Sequence, residues 1–202
     1  MTGIKAIETY YNGYRFRSRL EARWAVFFDA VGIRYDYEPE GFRLKNGMYY
    51  LPDFYLPDFK LWVEVKGVFD ADSKIKVDLF AETLKWDSER IWILREIPNP
   101  DHYWGAWENE LSEDAFWVFA RTAADGPYLP CICPACGKVG IEYSGRGWRV
   151  DDCTQDADTI VYPEAGCFFH EDKGYSAGAP KILNAYRLAR SARFEHGEKP
   201  KA

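Results

Sequence analysis

An α/β fold, with a mixed sheet flanked by helices and a small metal-pinned C-terminal module, is predicted from three observations. Periodic segments between residues 14 and 97 follow the order α-β-β-β-α-β. The strand-like segments are rich in aromatic and β-branched residues and lie close together in the chain. All five cysteines fall from Cys131 onward, in a stretch rich in Gly and Asp that lacks long apolar periods. An odd, clustered set of thiols points to a metal site rather than a disulfide framework.

The first helix is read from "SRLEARWAVFFDAVG". Leu20, Trp24, Phe27 and Val31 form one stripe, Ser18 with Glu21 makes a capping-box pattern, and Gly32 supplies a stop. Strands are predicted in "IRYDYE" (33–38), "MYYLPDFYL" (48–56) and "KLWVEVKG" (60–67). A second helix fits "SKIKVDLFAETLKWD", with Ile75, Leu79 and Leu84 as its apolar positions. "RIWILREI" (90–97) reads as a buried strand and "AFWVFAR" as a further strand. The tail "PKILNAYRLARSARFEHG" places Ile182, Leu183, Tyr186 and Leu188 at helical spacing, with Arg187, Arg190 and Arg193 beside that stripe.

Composition bounds the class. With 47% hydrophobic and 17% aromatic residues, the 202-residue chain has enough apolar material for a core, which excludes disorder over most of its length. No apolar run is long enough to span a membrane, so no membrane partner is expected. The N-terminus lacks the apolar core of a signal peptide, so a cytoplasmic protein with reduced thiols is expected. The net charge of −6 is unevenly spread. Residues 68–114 carry twelve acids against five bases, while residues 1–35 are net +3 and residues 181–202 net +4. Basic ends on an acidic protein can still hold phosphates.

The motif with most chemistry is "LPDFYLPDFKLWVEVKG", residues 51–67. Read as a hairpin with Asp58-Phe59 at its tip, it sets Asp53 opposite Glu64. Phe54, Leu56, Leu61, Val63 and Val65 then share a wholly apolar face, and Leu51, Asp53 and Tyr55 share the other with Trp62, Glu64 and Lys66. Asp58 follows a proline at the tip and reads as turn chemistry, roughly 20 Å from Glu64 along an extended strand. Facing carboxylates repel unless a cation lies between them. Hard oxygen ligands with open positions suit Mg²⁺, which can activate water and stabilise a pentavalent phosphate, with Lys66 placed to orient that water or to neutralise developing charge. The alternative is a solvated strand face carrying a Glu–Lys pair.

A helix carrying Glu21, then Pro52-Asp53, then Glu64-Val-Lys66, on an α-β-β-β-α-β succession, resembles the PD-(D/E)XK nucleases. The resemblance covers residues 14 to about 97 and is nearest to small nucleases of phages and their bacterial hosts. It implies a restriction-endonuclease-like fold and a metal-dependent DNA endonuclease that leaves a 5′-phosphate. Asp53 and Glu64 would bind Mg²⁺ or Mn²⁺, Lys66 would be the catalytic lysine, and Glu21 would complete the site. Glu21 has a competing role as the capping partner of Ser18. Glu38 and Glu40, in "YEPEGF", are weaker candidates.

Cys133-x-x-Cys136 followed by Gly is a zinc-knuckle pattern, completed most naturally by Cys153 and Cys167 into a closed structural Zn²⁺ site. Cys131 and His170 are substitutes for one of these ligands. The division expected is a nuclease-like domain at 1–125 and a zinc-ribbon-like module with a basic helix at 126–202. Arg17 and Arg19, Arg146 and Arg149 beside Trp148, and Arg187 and Arg190 are candidate DNA contacts. A homodimer would account for double-strand cutting. Two rival readings are a non-catalytic nucleic-acid binder on the same fold and a recombination or transposition partner protein.

Overall fold

The computed structural model describes residues 7–84, 90–100, 117–120, 123–132, 139–143 and 179–194. It is a mixed α/β structure built on a mixed seven-stranded sheet. An N-terminal hairpin pairs β1 (Thr9–Tyr11) with β2 (Tyr14–Phe16). Its turn is Asn12-Gly13, with φ of 47° and 84°, the positive values that a two-residue hairpin turn demands. Helix α1 (Arg19–Val31) follows, and then β3 (Asp36–Tyr37). A second hairpin pairs β4 (Phe42–Arg43) with β5 (Tyr49–Tyr50). Next come β6 (Phe54–Leu56), β7 (Leu61–Val65), α2 (Ala71–Ala81) and β8 (Arg90–Leu94). Strands β9 (Trp117–Ala120), β10 (Ala123–Ile132) and β11 (Val139–Tyr143) and helix α3 (Pro180–Ser191) complete the described elements.

The sheet order is β11-β10-β9-β8-β7-β6-β3. All neighbours are antiparallel except β7 and β8, which run parallel with α2 in the connection between them. Each face of the sheet carries its own core. On one, α1 and α3 cover Phe54, Leu56, Leu61, Val63, Val65, Trp92 and Leu94. On the other, Phe80 and Val77 of α2 join Tyr50, Trp62, Ile91 and Ile93. Strand β7 is therefore buried along its whole length, as strands covered on both faces are. Among the described residues no helix is long and apolar enough to cross a membrane.

The β6–β7 register agrees with the sequence reading: Phe54 pairs with Val63, Tyr55 with Trp62 and Leu56 with Leu61. The connection differs. It is a 3₁₀ turn at Pro57–Phe59 closed by Lys60 at φ 48°, longer than the expected two-residue loop. The face carrying Trp62 and Glu64 also differs from a solvated strand face, because α2 and the β4–β5 hairpin cover it. The run 48–56 is two strands in different sheets, β5 and β6. Between them stands Pro52, which has no N–H for a ladder. Helix α2 starts two residues before the expected Ser73, where Asp70 caps the Ser73 N–H at 2.8 Å. Its buried residues are Val77 and Phe80, and Ile75 is exposed. The rotation follows Phe80, which packs on Phe42, Tyr50 and Trp62 with ring centroids 4.7–5.9 Å away.

The expected division at 125/126 falls inside β10. Cys131 and Ile141, from β10 and β11, are buried in the same core as α1. Helix α3 buries Ile182, Ala185, Tyr186 and Ala189 there too, with Tyr186 stacked on Phe27 at 4.6 Å.

Candidate active site

Three strands bring three acids into one row. The β3–β6 ladder continues with the Glu38 N–H donating to the Asp53 carbonyl at 2.9 Å. The β6–β7 register sets Asp53 opposite Glu64. Asp53 lies just ahead of β6, and its Oδ2 accepts the Val65 N–H at 2.7 Å across to β7. This bond ties the carboxylate to the strand that carries Glu64. Asp53 and Glu64 are only 2% and 3% exposed. Charged groups are rarely buried to that degree unless paired or coordinated.

Each acid has one basic partner. Lys66 Nζ lies 2.6 Å from Glu64 Oε1. Arg17 Nη2 lies 2.9 Å from Asp53 Oδ1, and Arg17 Nε pairs with Glu38 Oε1. Glu64 Oε2 is buried with no hydrogen-bond partner. Tyr50, at the end of β5, brings its buried hydroxyl close enough to Glu64 for the two groups to act on each other. Burial first, then the Glu64 charge, pushes that hydroxyl far above its ordinary range.

The charges act on one another. Burial raises the Asp53 carboxyl well above its usual range, and repulsion from Glu64 and Glu21 adds to this. Lys66 and the Val65 N–H work the other way. Burial would pull the Lys66 ammonium down, but Glu64 and Asp53 outweigh it and hold Lys66 above its ordinary value. Lys66 is thus a proton-bearing cation, suited to stabilising negative charge.

Glu21 is near enough to act on Asp53, yet its oxygens are engaged. Oε1 accepts from Ser18 Oγ at 2.7 Å, and Oε2 accepts from the Arg17 N–H at 3.0 Å and Tyr37 Oη at 2.6 Å. In return Ser18 Oγ accepts the Glu21 N–H at 3.2 Å. The capping box is formed, and Tyr37 strengthens it. Asp58 sits in the turn after β6 and pairs with Arg34, whose Nε lies 2.9 Å from Oδ2. The two Leu-Pro-Asp-Phe repeats therefore serve different ends, one in the acid row and one in a turn.

Among the described residues, no three His, Cys, Asp or Glu side chains converge as a metal-ligand group. Arg17 and Lys66 instead neutralise the acids. The donor chemistry still fits a hard divalent cation, because Asp53 and Glu64 are oxygen ligands on adjoining strands and Glu64 Oε2 is an orphaned buried acceptor.

The candidate DNA contacts divide. Arg17 points into the acid row. Arg19 is half-buried in the first turn of α1. Arg187 is exposed and donates to Asn184 Oδ1 at 3.1 Å. Arg190 Nη1 donates to the Ile97 carbonyl at 2.7 Å, a tie between α3 and the segment after β8. Cys131 lies in the apolar core. Cys133, Cys136, Cys153, Cys167, His170, Arg146, Trp148 and Arg149 lie outside the described residues. Sequence reasoning ranked Glu38 low and overlooked Tyr37 and Tyr50. What places Glu38 there is the β3–β6 pairing, which extended by one residue sets it opposite Asp53 and which no local period of the sequence announces. No protein-family model and no curated protein matches this chain, so the chemistry of the acid row has to carry the functional reading.

Proposed function

We propose that the protein is a divalent-metal-dependent DNA endonuclease of the PD-(D/E)XK type, with a restriction-endonuclease-like core. The observation that carries this reading is a pair of buried carboxylates, Asp53 just ahead of β6 and Glu64 opposite it on β7, with Lys66 on Glu64 and one Glu64 oxygen left without a partner. Burying such a pair costs stability unless cations compensate; Arg17 and Lys66 do so in part, and a divalent cation would do so at the Glu64 oxygen they leave unpaired. Asp53 and Glu64 would hold Mg²⁺ or Mn²⁺, which when bound lowers the pKa of water and screens the phosphate charge. Lys66, held protonated, donates to a phosphoryl oxygen as negative charge develops there. Water attacks phosphorus and the P–O3′ bond breaks, leaving a 5′-phosphate and a 3′-hydroxyl. Glu21 acts at one remove: it holds Tyr37 and the Arg17 backbone, and its charge raises the demand of Asp53 for a cation. A structural Zn²⁺ on Cys133, Cys136, Cys153 and Cys167 belongs to the proposal on spacing alone, and elemental analysis should return about one zinc per chain.

Supercoiled plasmid and branched DNA, incubated with Mg²⁺ or Mn²⁺, test the reaction. Wild type should cleave at least one of them. Lys66→Ala should slow cleavage by roughly 10²–10³-fold, the usual loss for a charge-stabilising donor, and Asp53→Ala should abolish it. Cleavage that persists in both variants, or that needs no metal, would overturn the assignment.

A further inference from the structure

Arg17 holds the position that a cation on Asp53 would claim. The two Asp53 oxygens are not equivalent: Oδ2 accepts the Val65 N–H at 2.7 Å, and Oδ1 meets Arg17 Nη2 at 2.9 Å. The strand bond is part of the sheet, so the oxygen available to an incoming ion is the one paired with Arg17. The guanidinium is forked, with Nε on Glu38. Its side chain is 53% exposed, against 3% for that of Asp53, so it can swing outward without disturbing the core. Its root cannot move with it, because the Arg17 N–H is held by Glu21 Oε2 at 3.0 Å and Tyr37 Oη at 2.9 Å. Glu38 adopts a left-handed backbone with φ 46°, a strained choice for a non-glycine residue, and it presents its carboxylate to Arg17.

We propose that Arg17 is a displaceable counter-ion and phosphate clamp. It neutralises Asp53 in the absence of a divalent cation. When a cation takes Asp53 Oδ1, Arg17 pivots on Glu38 and turns its freed Nη groups to the DNA phosphate at the site. Guanidinium suits both states, because its planar fork matches carboxylate and phosphate alike. Cation and Arg17 compete for one oxygen, so loosening Arg17 must strengthen cation binding, and a bound cation must loosen Arg17. This inference rests on the reading of Asp53 and Glu64 as cation ligands.

Calorimetric titration with Mn²⁺, without DNA, tests the competition in wild type, Arg17→Gln and Asp53→Asn. Arg17→Gln should bind Mn²⁺ about fivefold more tightly, the equivalent of losing one partly exposed ion pair. In fluorescence anisotropy with a short DNA duplex, adding Ca²⁺ should tighten binding by wild type. The gain should be smaller in Arg17→Gln, which lacks the released clamp. If Arg17→Gln does not fold by circular dichroism, Arg17→Lys carries the same comparison, with Mn²⁺ affinity raised about threefold because ammonium lacks the fork. Equal or weaker Mn²⁺ binding by a folded Arg17 variant would overturn the counter-ion role. The ligand reading would survive that result, provided Asp53→Asn abolishes Mn²⁺ binding. Mn²⁺ binding that is absent from wild type, or indifferent to Asp53→Asn, would overturn both.

Discussion

Burial raises the Asp53 carboxyl above the usual range, Glu64 and Glu21 add to the shift, and Lys66 and the Val65 N–H oppose it. A carboxyl raised by folding binds its proton more tightly in the native than in the unfolded state. Native stability therefore falls as pH rises from the ordinary aspartate range through the raised value. In chelator, Asp53→Asn should be more stable than wild type at pH 8, and the advantage should shrink toward pH 4. Urea midpoints across that range check the sign, and an advantage that grows toward acid would contradict it. Asp29 is also raised by burial, but it is common to both proteins and cancels in the difference. Asp58 is the contrast within the same repeated tetrapeptide. The hydrogen bond from Arg34 lowers its carboxyl, so its contribution is present at neutral pH and lost as pH falls through the lowered value. The Arg34–Asp58 pair is largely exposed, so Asp58→Ala should leave both cleavage rate and urea midpoint close to wild type.

At the scale of elements, the N-terminus of α1 joins stability to the site. Ser18 and Glu21 close the capping box, and the same Glu21 carboxylate holds Tyr37 and the backbone of Arg17. Ser18→Ala should lower stability by about 1 kcal/mol, read as a shift in urea midpoint with unchanged slope. The β6–β7 pairing was legible because its register gathers Phe54, Leu56, Leu61, Val63 and Val65 on one face, whereas a slip of one residue would scatter them, and that register also sets Asp53 opposite Glu64. The Asn12-Gly13 hairpin carried an equally strong local signal, and the sequence reading passed over it. The face of α2 was misjudged for a different reason. Its apolar residues form no single stripe, so the aromatic cluster around Phe80 chose the buried side and left Ile75 in solvent.

For the whole molecule, α3 comes from the far end of the chain and seals the core under α1. Tyr186 stacks on Phe27 and meets Trp24 edge-on at 6.5 Å. Trp24 in turn donates its indole N–H to the Arg95 carbonyl at 2.7 Å, which anchors α1 to the end of β8. Tyr186→Ala should cost about 3 kcal/mol or more, as large-to-small changes of buried aromatics do. Equilibrium denaturation measures this, and a loss below about 1 kcal/mol would mean that α3 packs less tightly than the ring geometry implies. The sequence reading left open whether this basic helix faces phosphates or packs on the core, and its apolar stripe packs there. Helical spacing reports that a face is apolar, but not which distant element covers it.

The sequence by itself determined the local periods: helix α1 with its cap, the β6–β7 register, and the opposition of Asp53 and Glu64 that follows from it. These depend on alternation and spacing among neighbours in the chain, which a linear string records. Only the tertiary structure decided that β7 is buried on both faces, that Glu38 joins the acid row, and that Arg17 turns toward Asp53. Those outcomes depend on contacts between residues distant in the chain, such as the 36 positions separating Arg17 from Asp53. Burial and Coulomb attraction act on proximity in space, which no single local period encodes.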